Sequence, residues 1–482
     1  MKLNFPNLTL HSQLWQLSAL LFLTACTLHP NYERPPTETP DEWRISVNEA
    51  SSYCNLHWWE QFEDPHLNGL ILEALENNKD LKVAIATVYQ FVGQLQVVQS
   101  GLYPQVNFSG TALRGATSID FVPLPPALKR VSNDFTCLFN ASYDLDLWGS
   151  IRSASEASLA QLMAQIEARR AVVLTLVASV ASSYIELKQF YEQLKISKDT
   201  HRSRVEAYDL AVLRYDGGLT SELEPKQAKA EMESAEVQIL QFESLIAQQE
   251  NLISVLIGHP PRSIDLGIPL NDLHLAVDVP AGIPSEILEQ RPDISQAEWN
   301  LVSANAEIGV ARAQFFPNIS LTGFYGNESA ALKRLFSGPA RMWIYGGSLL
   351  QPLFTGGALI GQLHVTEAQK YEAYYRYQQA VLNAFREVDD ALIVHKKSQE
   401  LLVVQDRRVA ALVDALRLAT LQYDNGQVDY LNVLNARRDL FVAQLDEAAT
   451  KSDTFLSLVN IYKSLGGGWV VEADSWATTP GQ

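Results

Sequence analysis

The stretch YDNGQVDYLNVLNAR at residues 423–437 repeats the pattern of YDGGLTSELEPKQAK at residues 215–229. Both fit Y-D-x-G-x-x-x-x-L-x-x-x-x-A-[KR], and every matched position is offset by 208. A glycine in this setting can take the left-handed conformation that ends a helix, which gives Gly218 and Gly426 a common role. Three residues beyond each glycine stand Ser221 and Asp429, side chains of the type that cap a new helix, and Ser221 with Glu224 fits a capping box. Each stretch therefore predicts the tip of a helical hairpin.

The flanks support this reading. No proline occurs in the 98 residues between Pro126 and Pro225, nor in the 127 between Pro352 and Pro480. Apolar residues recur there at helical spacing, as at Leu159, Met163, Ile166, Val173, Val177, Val180, Tyr184, Leu187, Tyr191 and Leu194. A helix over residues 151–214 would measure roughly 95 Å at about 1.5 Å per residue. Rods of that length imply helices packed side by side in a bundle or barrel of coiled-coil type.

Matches outside the tips extend the repeat to most of the chain. Asp80, Ala84 and Pro104 correspond to Asp293, Ala297 and Pro317 at an offset of 213, and Gly258 corresponds to Gly466 at 208. The slip between the two offsets falls where the first copy carries FVPLPPALKR at residues 121–130. The chain reads as an internal duplication of helix, strand, strand and long helical hairpin. The expected organisation is a leader at 1–25, an N-terminal arm and equatorial segment at 26–65, repeats at 66–270 and 271–470, and a tail at 471–482. Strands are expected near 104–114 and 135–147 in the first repeat and near 317–326 and 341–351 in the second, with tips near 215–224 and 423–432.

Residues 135–147 alternate with period two. Phe135, Cys137, Phe139, Ala141, Tyr143, Leu145 and Leu147 share one side, Thr136, Asn140, Ser142, Asp144 and Asp146 the other, and Leu138 alone breaks the rule. Such alternation suits a membrane strand between lipid and a wet lumen, and equally a half-buried strand of a soluble sheet. Residues 105–114, 318–325 and 341–350 resemble it. If the strands cross a membrane the sheet must close, because backbone groups in lipid need partners. The smallest usual barrel has about 8 strands, so four per chain demand a homo-oligomer.

At the N-terminus, Lys2 and His11 precede an apolar run at 14–23 that ends in Leu-Thr-Ala-Cys at Cys26. The run is too short for a permanent span and reads as a secretory signal. L-T-A-C also resembles the bacterial lipobox, which would make Cys26 the acylated first residue of the mature chain. Cys54 and Cys137 remain, too few for a disulfide framework. Overall, 47% hydrophobic residues exclude wholesale disorder, and a mean hydropathy of −0.05 excludes a polytopic helical membrane protein. A net charge of −18 with no clustered basic face argues against nucleic acid.

With these features together, the chain resembles a TolC-like outer-membrane efflux channel of the lipoprotein branch, the NodT-type outer-membrane factors of resistance-nodulation-division systems. The carriers are the lipobox, WWEQFEDPHLNGLILEAL at 58–75, NNKDLKVA at 77–84, YDLDLWG at 143–149, the segment from QRPDIS to SLTG at 290–323, both tips and GGGW at 466–469. The resemblance implies a mixed α and β membrane protein, a homotrimer whose strands form a twelve-stranded outer-membrane β-barrel continued by a long periplasmic α-helical barrel. It implies a periplasmic adaptor protein, an inner-membrane pump and outer-membrane lipid as partners. Two readings stay open beside the efflux duct: a similar duct for type I protein secretion, and a lipid-anchored periplasmic coiled-coil scaffold without a pore. The insert at 121–130 and Pro225 depart from the commoner pattern and bear on surface recognition and tip geometry.

The candidate site residues follow from the tips. By resemblance, Gly217, Gly218, Leu223, Gly426, Tyr430 and Leu431 form the adaptor's docking surface. Asp424 and Asp429 are candidates for an acidic constriction that would favour cations, although N-capping accounts for Asp429 and a solvated helix end for Asp424. Trp58 and Trp59 are expected to pack around the helices, whereas Tyr143, Trp148, Trp343 and Tyr345 flank strands as an interfacial belt would. Gly357 and Gly361 form G-x-x-x-G, read as a close-packing device. Nine scattered histidines without an H-x-x-x-H pair, and no phosphate-binding loop, nucleophile elbow or dinucleotide fingerprint, suggest no metal, cofactor or enzymatic chemistry.

Overall fold

A computed structural model describes residues 28–37, 39–40, 43, 57–118, 130–273 and 290–466. Cys26 with the leader, Cys54, residues 121–129, most of the GGGW motif and the tail lie outside the described residues. Eleven principal elements follow in order: α1 (Pro65–Asn77), α2 (Lys79–Ser100), β1 (Gln105–Ala116), β2 (Val131–Asp144), α3 (Ser150–Asp216), α4 (Leu223–Leu256), α5 (Pro292–Ala313), β3 (Asn318–Ser329), β4 (Arg341–Leu350), α6 (Ala358–Asp424) and α7 (Tyr430–Ser464). The proline-free stretches become α3 and α6, each 67 residues long and offset by 208 at both ends.

The described residues separate into two compact units, and each sequence repeat contributes to both. One unit comprises residues up to Pro35 with Tyr89–Ala164 and Ala297–Tyr377. It holds a single antiparallel sheet in the order β1-β2-β3-β4. Cross-strand partners share a face. Phe108 pairs with Phe139, Phe139 with Tyr325, and Tyr325 with Trp343, so one apolar row runs across all four strands. These four side chains are between 53% and 63% exposed. The opposite face is mixed: Asn140 donates to Ser109 Oγ at 3.0 Å and Ser320 meets Ser348 at 2.7 Å, while Leu138, Phe324 and Ile344 lie on the same side. Leu138, the residue that broke the alternation, lies opposite Gly326, where a Cβ would come within 2.9 Å of its Cα.

The strand limits differ from the expectation. β2 ends at Asp144, not Leu147, because Asp146 turns its carboxylate onto the start of α3, accepting from Ile151 N at 3.0 Å and Arg152 N at 2.9 Å. Trp148 then docks by donating to Pro317 O at 2.9 Å. β2 begins four residues early and β3 runs on to Ser329 because pairing with neighbouring strands continues where the side-chain alternation has lapsed. In the same unit an N-terminal segment lies on α5: Asn305 donates to Pro30 O at 2.7 Å, and Glu298 accepts from Tyr32 at 3.1 Å and pairs with Arg34 at 3.0 Å. His29 pairs with Glu156 at 2.9 Å, and a Cβ on Gly309 would strike His29 and Ser153 within 3.0 Å.

The other unit, from Pro36–Val88, Gln165–Gln296 and residues from Gln378 onward, is helical. At its centre Lys188 and Asp64, both essentially buried, form an ion pair of 2.9 Å. Asp64 also caps α1 by accepting from His66 N at 3.0 Å, and it meets the Tyr184 hydroxyl at 3.0 Å. Lys188 donates further to the carbonyls of Leu266 and Ile268. Every proton and lone pair of importance is thus matched, which is the condition under which a buried charge persists. Trp58 and Trp59 take the packing role expected of them: both are 2% exposed in a short 3₁₀ turn, and Trp58 stacks on Tyr462 at 5.2 Å. The RPD segment has a comparable purpose, because Arg291 binds Asp293 at 2.8 Å, Glu387 at 2.6 Å and the Ser464 carbonyl at the end of α7 at 2.7 Å.

The G-x-x-x-G expectation does not hold within the chain. A Cβ on Gly357 or Gly361 would meet nothing within 4 Å, and Gly357 instead serves the turn into α6 with φ of +90°. The Cys137 thiol is free.

Lys188→Met removes one partner of the buried pair and leaves Asp64 charged in a dry site. A loss of about 3–5 kcal/mol is expected from denaturant unfolding of the detergent-solubilised protein, and Asp64→Asn added to Lys188→Met should recover part of it.

Candidate gate at the helical hairpin tips

Both tips are built alike by backbone geometry. At the end of α3, Gly218 has φ of +70°, its N–H donates to Tyr215 O at 2.9 Å, and Leu219 N donates to Arg214 O at 2.9 Å. At the end of α6, Gly426 has φ of +69°, its N–H donates to Tyr423 O at 2.9 Å, and Gln427 N donates to Gln422 O at 2.9 Å. This is the Schellman arrangement, which satisfies carbonyls that a helix end would leave unpaired. Gly217 occupies the last turn without a positive φ; its amide donates to Leu213 O at 3.0 Å.

The predicted side-chain caps are not made. Ser221 contributes its carbonyl, to Glu224 N at 3.2 Å, while Glu222 is the N-cap of α4 without a side-chain hydrogen bond. The capping box fails because the Thr220 hydroxyl takes Glu224 instead. Asp429 does occupy the N-cap of α7, in extended backbone, but its carboxylate makes no capping hydrogen bond. Asp429 and Asp424 are both exposed, and Asp424 lies 4.0 Å from Arg214 Nη2. Leu223 and Leu431 expose apolar side chains, 63% and 53% open to solvent, whereas Tyr430 is half-buried.

A side-chain network joins the two hairpins near these turns. Arg214 of α3 donates to the Tyr423 hydroxyl at 2.6 Å and lies 5.0 Å over its ring, and Tyr423 in turn donates to Glu224 of α4. Tyr423 also packs against Tyr430, ring centroids 5.2 Å apart. Burial, then the hydrogen bond to Glu224, push the Tyr423 hydroxyl up to about 12, so it keeps its proton and remains a donor. Burial likewise raises Tyr430.

Sequence reasoning marked the glycines and aspartates of the tips but not Arg214, Glu224 and Tyr423 as a set. A signal was present, since at the offset of 208 Arg214 faces Gln422 and Glu224 faces Asn432. Only the first hairpin carries this charge pair, and the tyrosine of the second hairpin fills the space between them. Among the described residues no group of three or more His, Cys, Asp or Glu side chains could hold a metal ion.

Residues 70–259 and 283–467 match the family described as outer membrane efflux protein. The chain is 34% identical over 457 residues to the cation efflux system protein CusC of Escherichia coli strain K12, covering 93% of this chain and 97% of that one. It is 32% identical to the probable outer membrane lipoprotein SilC of Salmonella typhimurium, covering 95% and 99%. Among solved structures, the open state of the Neisseria gonorrhoeae MtrE outer membrane channel superposes with a TM-score of 0.82 at 30% identity, over 92% of this chain and 99% of that one. The duplicated hairpins, the four-stranded sheet and these matches over nearly the whole length place the chain in the outer membrane efflux protein family.

Proposed function

We propose that this protein is the outer-membrane duct of a tripartite efflux assembly, a homotrimer that passively conducts drugs or other small compounds delivered by an inner-membrane pump through a periplasmic adaptor. The observation that carries this reading is the sheet. Its row of exposed aromatics suits lipid, and the side-chain hydrogen bonds among Ser109, Asn140, Ser320 and Ser348 on the opposite face suit water. Its outer strands, β1 and β4, have no further partner strand among the described residues. Three copies supply twelve strands, enough to close a barrel and satisfy every edge. Cys26 carries the lipid anchor that holds the trimer in the outer membrane, the pump is of the resistance-nodulation-division type, and the chain performs no catalysis.

The hairpin tips form the periplasmic mouth. Exposed Leu219, Leu223 and Leu431 offer apolar contact to the adaptor, with Gly217, Gly218, Gly426 and Tyr430 shaping the turns. The Arg214, Tyr423 and Glu224 network holds the two hairpins of a subunit together in the closed mouth, and exposed Asp424 and Asp429 line the aperture. Three copies of each carboxylate around a narrow opening lower the energy of an entering cation.

Single-channel conductance of the detergent-extracted trimer in planar bilayers is the direct test; trimers that never conduct would support a periplasmic scaffold instead. Asp429→Ala is expected to lower cation over anion selectivity, and unchanged reversal potentials in both Asp429→Ala and Asp424→Ala would remove these residues from the aperture. Tyr423→Phe deletes a charge-assisted hydrogen bond worth about 1.5–3 kcal/mol, so the open fraction should rise about tenfold or more in the same recordings. Labelled palmitate should enter the wild-type chain and be absent from Cys26→Ala.

A further inference from the structure

The face of the sheet opposite the aromatic row changes character over two adjacent rows. The registers run without a bulge across all four strands, so direct partners identify the side chains that share this face. One row reads Asn107, Asn140, Phe324 and Ile344, and the next reads Ser109, Leu138, Gly326 and Met342. The rows on either side are polar, with Thr111, Thr136 and Glu328 above and Gln105, Ser142 and Thr322 below. Leu138, Phe324, Met342 and Ile344 are therefore one apolar cluster on β2, β3 and β4. Gly326 leaves room at its centre, and Leu138 extends over that gap, its Cδ2 2.9 Å from where a Cβ on Gly326 would stand. The cluster is open: Ile344 is 56% exposed and Phe324 half-buried. Contiguous apolar surface beside polar residues marks a place where something binds.

Charge on this face has one sign. Glu328 lies one row from the cluster, and Asp134, paired with Leu113, lies two rows away. Asp144, paired with Ser320, lies two rows away on the other side. Successive rows are about 7 Å apart along a strand. The two arginines of the sheet, Arg114 and Arg341, have Asn133 and Asn327 as partners and belong to the aromatic face. No lysine or arginine of the paired strands stands beside the three carboxylates to offset them.

We propose that this cluster, with its acidic flanks, is a transit site in the barrel lumen for organic cations that carry an apolar, aromatic body. The proposal rests on the duct reading, which turns this face to the lumen and brings three copies of the cluster to one level. Phe324 offers its ring to the aromatic body, and the cluster shields that body from water. Glu328, about 7 Å along the strand, attracts the charge. An inorganic cation gains from the carboxylates alone and a neutral hydrocarbon from the cluster alone, whereas an organic cation gains from both.

The test is single-channel recording of the full-length trimer in planar bilayers at low salt, with ethidium as the probe and tetraethylammonium as a cation without an aromatic body. Ethidium is expected to produce brief current blockades and tetraethylammonium none. Phe324→Thr and Ile344→Thr place strand-forming residues in the cluster, and each should shorten the blockades about fivefold while conductance in salt alone is kept. Glu328→Gln should lower blockade frequency about twofold or more with little effect on blockade length, because a flanking charge acts on association. Wild-type trimers that conduct without ethidium blockades overturn the site and leave the duct standing. Blockades of equal length in wild type and both threonine variants do the same, as does an unchanged frequency in Glu328→Gln. Trimers that never conduct remove the duct and the site together.

Discussion

Backbone hydrogen bonding constrains this chain more than any side chain does. Among the described residues the sheet pairs β1 to β4 in order and stops, leaving a row of amide and carbonyl groups along each outer strand. In water such edges invite aggregation, and in lipid they are untenable. The apolar row through Phe108, Phe139, Tyr325 and Trp343 suits hydrocarbon, and it would be costly to leave in water. Both features are relieved at once by closure with further copies of the same sheet, and the proposed homo-oligomer follows from this requirement.

Duplication supplies the rest of the architecture, and departures from duplication supply the chemistry. The two tips superimpose in backbone logic, with a left-handed glycine and the same pair of capping hydrogen bonds at positions 208 apart. Their side chains diverge: Arg214, Ser221 and Glu224 of one hairpin stand where Gln422, Asp429 and Asn432 stand in the other. A ring of such tips would have sixfold backbone geometry and only threefold chemistry. A lock that joins unlike hairpins can therefore be released without unfolding either one.

Local rules were legible wherever one residue and its near neighbours decide the outcome. The long helices were visible from their period and the absence of proline, and α3, at Ser150–Asp216, extends the expected 151–214 by at most two residues at each end. Strand existence was visible from alternation, whereas strand ends were not. β2 stops early because Asp146 serves α3, and β3 runs late because its neighbour supplies hydrogen bonds beyond the alternating stretch. At the tips the glycines were legible and the caps were not. Ser221 has the right chemistry for capping, yet Thr220 and Tyr423 compete for Glu224, and the competitor from α6 is invisible to any local pattern.

The amino-acid sequence by itself determined the repeat, the hairpins with their glycine turns, the four strands and the need for a partner, because each rests on short-range sterics, on period or on counting. Only the tertiary structure decided which distant residues meet. Asp64 finds Lys188 and Tyr184 across more than a hundred residues, Arg214 finds Tyr423 across 209, and Arg204 keeps two buried donors free beside Phe441. Such pairings depend on how long helices are set against one another in register. No single stretch of chain encodes that register, because it emerges from packing the whole length of each helix at once.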